Sequence, residues 1–211
     1  MNKIAVCKPQ ICEAIRTRHV ILTVAVAGKI ISRTLLECHT TNRNFWNMVM
    51  MLQSGAPGVV TNFGAGYISL KKTNGAVSAI GPDVTTILLT GPVNDATKGI
   101  VVGGGVGAED FEGYALTSLI PHGTAGTQLL YAANAASTQS YNAELLKWTI
   151  TLKRSFTNSS GASIDVKEAA MYAYVYNINC MIWRDLLAAT VAVANNAVLT
   201  VAYEITLTLP A

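Results

Sequence analysis

Charge is scarce in this chain. Only 13% of its 211 residues are Asp, Glu, Lys or Arg, about half the share carried by an ordinary soluble domain. So poorly charged an exterior suits a protein that is partly buried against other subunits. The net charge of +3 is too small to argue for a polyanionic partner. Lys3, Lys8, Arg16, Arg18, Lys29 and Arg33 gather near the start, but Glu13 and Glu37 interrupt them. No aromatic residue is interleaved there for base stacking, so direct nucleic-acid binding is not expected.

Long hydrophobic runs are missing as well. The most apolar stretch, His19–Ile31, is interrupted at Gly28-Lys29 and falls short of the roughly 20 apolar residues a spanning helix needs. It reads as a buried strand, and membrane insertion is not expected. In the start MNKIAVCKPQICEAIRTRH the charges are scattered, and Pro9 and Glu13 break any apolar core of a secretion signal. Synthesis in the cytoplasm is the expectation.

Cysteine is rare and poorly spaced for metal. Cys7, Cys12, Cys38 and Cys180 contain no CxxC pair, and adjacent Cys38-His39 on a strand would point to opposite faces. Buried free thiols are the default for a cytoplasmic product. Cys7 and Cys12 are candidate inter-subunit thiols, since an exposed N-terminal cysteine can crosslink neighbouring copies.

Catalytic patterns are absent too. Gly103-x-Gly105-x-x-Ala108 follows a strand-like run, yet Glu109-Asp110 would repel a phosphate, and the acidic residue a dinucleotide site needs about 20 positions on is missing. A tightly turning glycine loop is the simpler reading. His122 has no Gly-x-Ser-x-Gly elbow or cysteine partner beside it. Asp165, Glu168 and Asp185 read as isolated carboxylates, with Asp185 paired locally to Arg184. No catalytic set, cofactor or small-molecule substrate is implied.

What the chain does have is turn chemistry and alternation. Pro57-Gly58, Asn74-Gly75, Gly81-Pro82 and Gly91-Pro92 punctuate short strand-like runs such as GYISLK and TTILL, and Asn74-Gly75 suits a two-residue hairpin. In LLKWTITLKRSF, Trp148, Ile150 and Leu152 alternate with Lys147, Thr149, Thr151 and Lys153. In VLTVAYEITLTL, Leu199, Val201, Tyr203, Ile205, Leu207 and Leu209 share one face. Asn195-Asn196 suits the turn into that strand. One helix is predicted near 43–53, with Phe45, Val49 and Leu52 on one face, Asn42 or Asn44 as its cap and Gly55 as its stop. The pattern predicts a mainly β chain, an antiparallel β-sandwich (jelly-roll-like) over 56–211. Residues 1–55 form an N-terminal arm, strand and helix packed on that domain or on a neighbouring subunit.

From Gly99 onward, an ordered set of segments carries a resemblance. GIVVGGG, YALTSLIPHGT and LLY come first, then KRSFTNSSG, IDVKEAAM and MIWRDLL, and finally VAVANNAVLTVAYEITLTLP. This order resembles that of structural proteins encoded among the head and tail genes of tailed bacteriophages. Arg154, Phe156, Asn158 and Gly161 match a first element, and Ile164, Val166 and Glu168 a second. Met181, Arg184, Asp185 and Leu187 match a third, and Leu199, Val201 and Tyr203 a last. Ala169-Ala170-Met171 and Ala197 depart from the pattern, which blurs the subfamily. The resemblance implies a non-enzymatic virion component of capsid decoration, neck or tail, whose partners are copies of itself and other virion proteins. Arg154, Phe156, Arg184, Asp185 and Tyr203 are the candidate assembly contacts, and Arg154 and Arg184-Asp185, placed at strand ends, can fix neighbouring strands or copies. The competing reading is a glycan- or receptor-binding fibre module, which would stack sugars on Tyr67, Tyr114, Tyr131 or Trp183.

Overall fold

In the computed structural model, residues 17–37, 40–54, 68–80 and 87–208 are described. The period-two segments all become strands. The first six elements are β1 (Thr17–Val26), β2 (Lys29–Glu37), β3 (Thr40–Thr41), α1 (Arg43–Ser54), β4 (Ile68–Lys71) and β5 (Val77–Ile80). The middle of the chain adds β6 (Ile87–Leu88), β7 (Gly99–Gly103), β8 (Leu130–Asn134) and β9 (Thr138–Asn142). The longest strands come last, as β10 (Lys147–Thr157), β11 (Ile164–Val175), β12 (Ile178–Val193) and β13 (Ala197–Thr208).

Every strand pair is antiparallel. One sheet runs β2-β1-β13-β10-β8, with β9 also on β10, and a second runs β3-β12-β11-β6, with β7 also on β11. The two sheets share one core: Val20, Leu22, Phe156, Leu199 and Tyr203 of the first meet Ile100, Met171, Ile182 and Trp183 of the second. Trp183 and Tyr203 pack across the gap with ring centroids 5.6 Å apart. Burying each such large apolar side chain contributes about 1.5–3 kcal/mol. The expectation of a mainly β antiparallel sandwich with one helix therefore holds.

Backbone chirality explains the hairpins. Asn74-Gly75 lies in the β4–β5 turn, where Gly75 has φ 86° and Lys72 N donates to Ala76 O at 2.8 Å. Asn196 (φ 63°) turns β12 into β13 as its sequence suggested. The β11–β12 turn uses Tyr176 (φ 45°) and Asn177 (φ 63°), a pair of left-handed residues that matches the twist of adjoining strands.

One sequence reading needs correction. His19–Ile31 is not one buried strand: Ala27 and Gly28 both take positive φ and reverse the chain into β2, leaving Ile30 and Ile31 exposed. From residue 17 onward, the first region packs on the main domain. β1 lies between β2 and β13, paired from Thr17↔Thr206 to Val26↔Ala197. Gly55 itself lies outside the described residues.

Helix α1 begins as predicted at Asn42, whose Oδ1 accepts from Phe45 N at 3.3 Å. Asparagines also fasten the helix to β12 and to β4. Asn42 Nδ2 and Asn44 Nδ2 donate to Met181 O at 2.7 and 2.9 Å, and Asn47 Nδ2 donates to Ser69 O at 2.9 Å. Among the described residues, no helix is long and apolar enough to cross a membrane.

Candidate functional site

Between β6 and β8 the chain runs some forty residues with β7 as its only strand. Long irregular segments leave backbone groups in need of partners. Two buried arginines supply them.

Arg154 stands mid-β10, on the face that carries Leu152 and Phe156 into the core. A guanidinium has five N–H donors in a fixed fork, and here each meets a backbone carbonyl. Nε donates to Ala132 O at 2.8 Å, and Nη1 to Lys98 O at 2.7 Å and Ile100 O at 3.0 Å. Nη2 donates to Pro92 O at 2.8 Å and Asp95 O at 2.7 Å. The group also lies over the Tyr131 ring, 4.9 Å from its centroid. Burial pulls its pKa below the ordinary arginine value, against smaller opposing effects of Tyr131 and Asp95. Burial also pushes the Tyr131 phenol upward, and that hydroxyl donates to Ile120 O at 2.6 Å.

The second anchor is an ion pair. Glu168 on β11 and Arg184 on β12 meet through Oε2 and Nε at 2.7 Å, with side chains 0% and 7% exposed. Glu168 Oε1 accepts from Ser118 N at 2.8 Å and Gly105 N at 3.1 Å, and Oε2 accepts from Thr117 N at 3.2 Å. Arg184 Nη1 donates to Ala108 O at 2.9 Å, and Nη2 to Gly107 O at 2.7 Å and Thr117 Oγ1 at 3.0 Å. The pair thus ties together two stretches of the same loop. Gly103 and Gly105 permit the approach, since a Cβ on either would sit 2.5 Å from Glu168 Oε1. Beside them the Tyr172 hydroxyl accepts from Leu116 N at 2.9 Å.

These contacts revise the sequence-based site. Arg154, Phe156, Arg184, Asp185 and Tyr203 are 1%, 0%, 6%, 1% and 0% exposed, so they face this chain's own interior and offer no surface to a neighbour. Arg154 and Arg184-Asp185 lie mid-strand, where the period-two pleat turns Arg154 onto the core face. Arg184 pairs with Glu168 on the neighbouring strand, 16 positions earlier, and not with Asp185 beside it. Glu168, read from the sequence as an isolated carboxylate and left out of the candidate contacts, is the partner of Arg184. Its signal was a carboxylate on a β11 face otherwise built of Val166 and Ala170. The glycine run is half strand, as β7, and half the close lining of Glu168. Cys7 and Cys12 lie outside the described residues, as do Cys38 and His39.

Among the aromatic candidates for sugar stacking, Tyr131 and Trp183 are buried, and Tyr67 lies outside the described residues. Tyr114 is partly exposed, with Lys71 Nζ 4.3 Å from its ring centroid. His122 Nδ1 accepts from Tyr131 N at 3.2 Å. Among the described residues, no three His, Cys, Asp or Glu side chains come together as metal ligands.

No family model, curated protein or solved structure matches this chain.

Both ends of the first sheet expose apolar side chains. On β2, Ile30, Ile31 and Leu35 are exposed at 61%, 57% and 62%. At the opposite end of the same sheet, Tyr141 of β9 and Trp148 of β10 stack with centroids 5.6 Å apart. A shallow groove of about 760 Å³ lies there, lined by Ser140, Tyr141, Asn142, Leu145, Lys147 and Thr149 among others.

Proposed function

We propose that this chain is a non-enzymatic structural component of a bacteriophage particle, acting through contacts with copies of itself and with other virion proteins. The observation that carries the reading is the use made of the residues behind the resemblance. Arg154, Glu168 and Arg184 are spent on fastening a long loop to a sandwich, and Asn158 Nδ2 locks the β12–β13 end by donating to Val193 O at 2.7 Å. Side chains used as internal anchors in this way support the reading of a scaffold. The low charge and the exposed aliphatics of β2 fit burial against neighbours. Its place would be capsid decoration, neck or tail, within the virion.

Mass spectrometry of purified particles, with light scattering of the isolated chain, tests this. The chain is expected in particles at a fixed copy number and self-associated in solution. A free monomer absent from particles would overturn the proposal.

A further inference from the structure

We propose that copies of this chain join edge to edge, β2 of one copy pairing with β9 of the next, so that the first sheet continues from subunit to subunit. The inference deepens the assembly reading by naming the surfaces and the partner.

β2 and β9 close off the two ends of one sheet. Four antiparallel steps separate them, so both strands run in the same direction. A copy rotated about an axis parallel to the strands therefore presents its β9 to β2 as a parallel pair. The backbone groups of an open edge strand are ready-made partners for such an addition.

The rest of that end of the sheet is covered. β8 shares it with β9, but its outer edge is used by the chain itself: Asn94 N donates to Tyr131 O and Asn134 N to Gly91 O, both at 2.9 Å. β9 has no such cover among the described residues, and all five of its residues are exposed. Its sequence TQSYN is uncharged, so nothing on it repels Lys29 and Arg33 of β2. Exposed Ile30, Ile31 and Leu35 on one edge, and Tyr141, Leu145 and Trp148 around the other, give both edges apolar surface to bury. Pairing β2 with a second β2 would leave the β9 groove uncovered. A head-to-tail contact satisfies both edges at once and closes as a ring when the rotation allows.

Complementation between broken edges tests the geometry. Leu35→Lys spoils β2 alone and Tyr141→Lys spoils β9 alone, both at exposed positions. Ile30→Lys and Thr138→Lys serve as second variants should either fail to fold. By light scattering, the full chain is expected as an oligomer and each variant as a monomer. An equimolar mixture of the two variants should give a species of twice the 22.3 kDa chain mass and nothing larger, because one sound β2 meets one sound β9. A wild-type monomer overturns the inference. So does a Tyr141→Lys chain that still dimerises while the mixture shows no complementation, since that is a β2–β2 contact. Complementing edges in a chain absent from particles would uphold this inference and sink the virion reading alone.

Discussion

Arg184 Nε and Glu168 Oε2 lie 2.7 Å apart, on neighbouring strands, with both side chains sealed from solvent. The carboxylate takes three backbone amides besides the guanidinium, so the pair works as a rivet between the second sheet and the loop above it.

Removing one charge should cost more than removing both. Glu168→Gln leaves a buried arginine uncompensated, at a cost of about 3–5 kcal/mol. Adding Arg184→Met to that variant should recover part of the loss. A double-mutant cycle by urea unfolding measures the coupling. Additive single effects would show that the two groups act separately.

Arg154→Lys should fail as a substitute. An ammonium has three donors on a flexible stem, and five carbonyls await it. Arg154→Lys and Arg154→Met are each expected to destabilise by about 3 kcal/mol or more, given about 1.5–3 kcal/mol for each bond to a charged group and partial recovery through water. Limited proteolysis should then cut between residues 91 and 99, where the wild type resists. An unchanged cleavage pattern would mean that the loop holds without its arginine.

The glycines around Glu168 should be unequal. A Cβ at Gly103 or Gly105 would meet Glu168 Oε1 at 2.5 Å, whereas at Gly104 the nearest atom is Asp165 O at 3.5 Å. Gly103→Ala and Gly105→Ala are expected to cost about 1–3 kcal/mol by overpacking, and Gly104→Ala much less. Thermal unfolding of the three variants compares them directly, and equal losses would remove the steric explanation.

Alkaline pH should weaken the fold. Burial pushes the Cys180 thiol from its ordinary 9.0 up to about 12, and pushes Tyr172 from 10.0 up to about 12. Both groups keep their protons more tightly folded than unfolded. Their contribution is therefore whole below about pH 9 and lost as pH rises toward 12. The urea midpoint should fall between about pH 8 and about pH 10.5, and Cys180 should resist alkylation until the chain unfolds. A flat midpoint would contradict the assignment.

Legibility followed range. The helix cap at Asn42 and the turns at Asn74-Gly75 and Asn195-Asn196 were readable because each depends on residues a few positions apart. Alternation in β10 and β13 separated Leu152 and Val201 from Lys153 and Thr200, but Trp148, on the same predicted core face as Leu152, is 40% exposed. The same local view mistook His19–Ile31 for one strand, because a hairpin built on Ala27-Gly28 lacks the usual asparagine. It paired Arg184 with its neighbour Asp185, because sequence proximity cannot show which strands lie side by side.

The sequence by itself determined two-faced strands, their turns and a mainly β class, since the pleat and the φ preferences of turn residues act over short distances. Only the tertiary structure decided what the inward-facing charges do. Strand parity can turn Arg154 toward a core, but its five carbonyls come from β7, β8 and the loop before β7, up to 62 residues away, and Glu168 meets Arg184 only because β11 and β12 fold back on each other. Burial makes an unpartnered charge too costly to keep, so those long-range partners, and not the strands' own pattern, set the role of each buried charge.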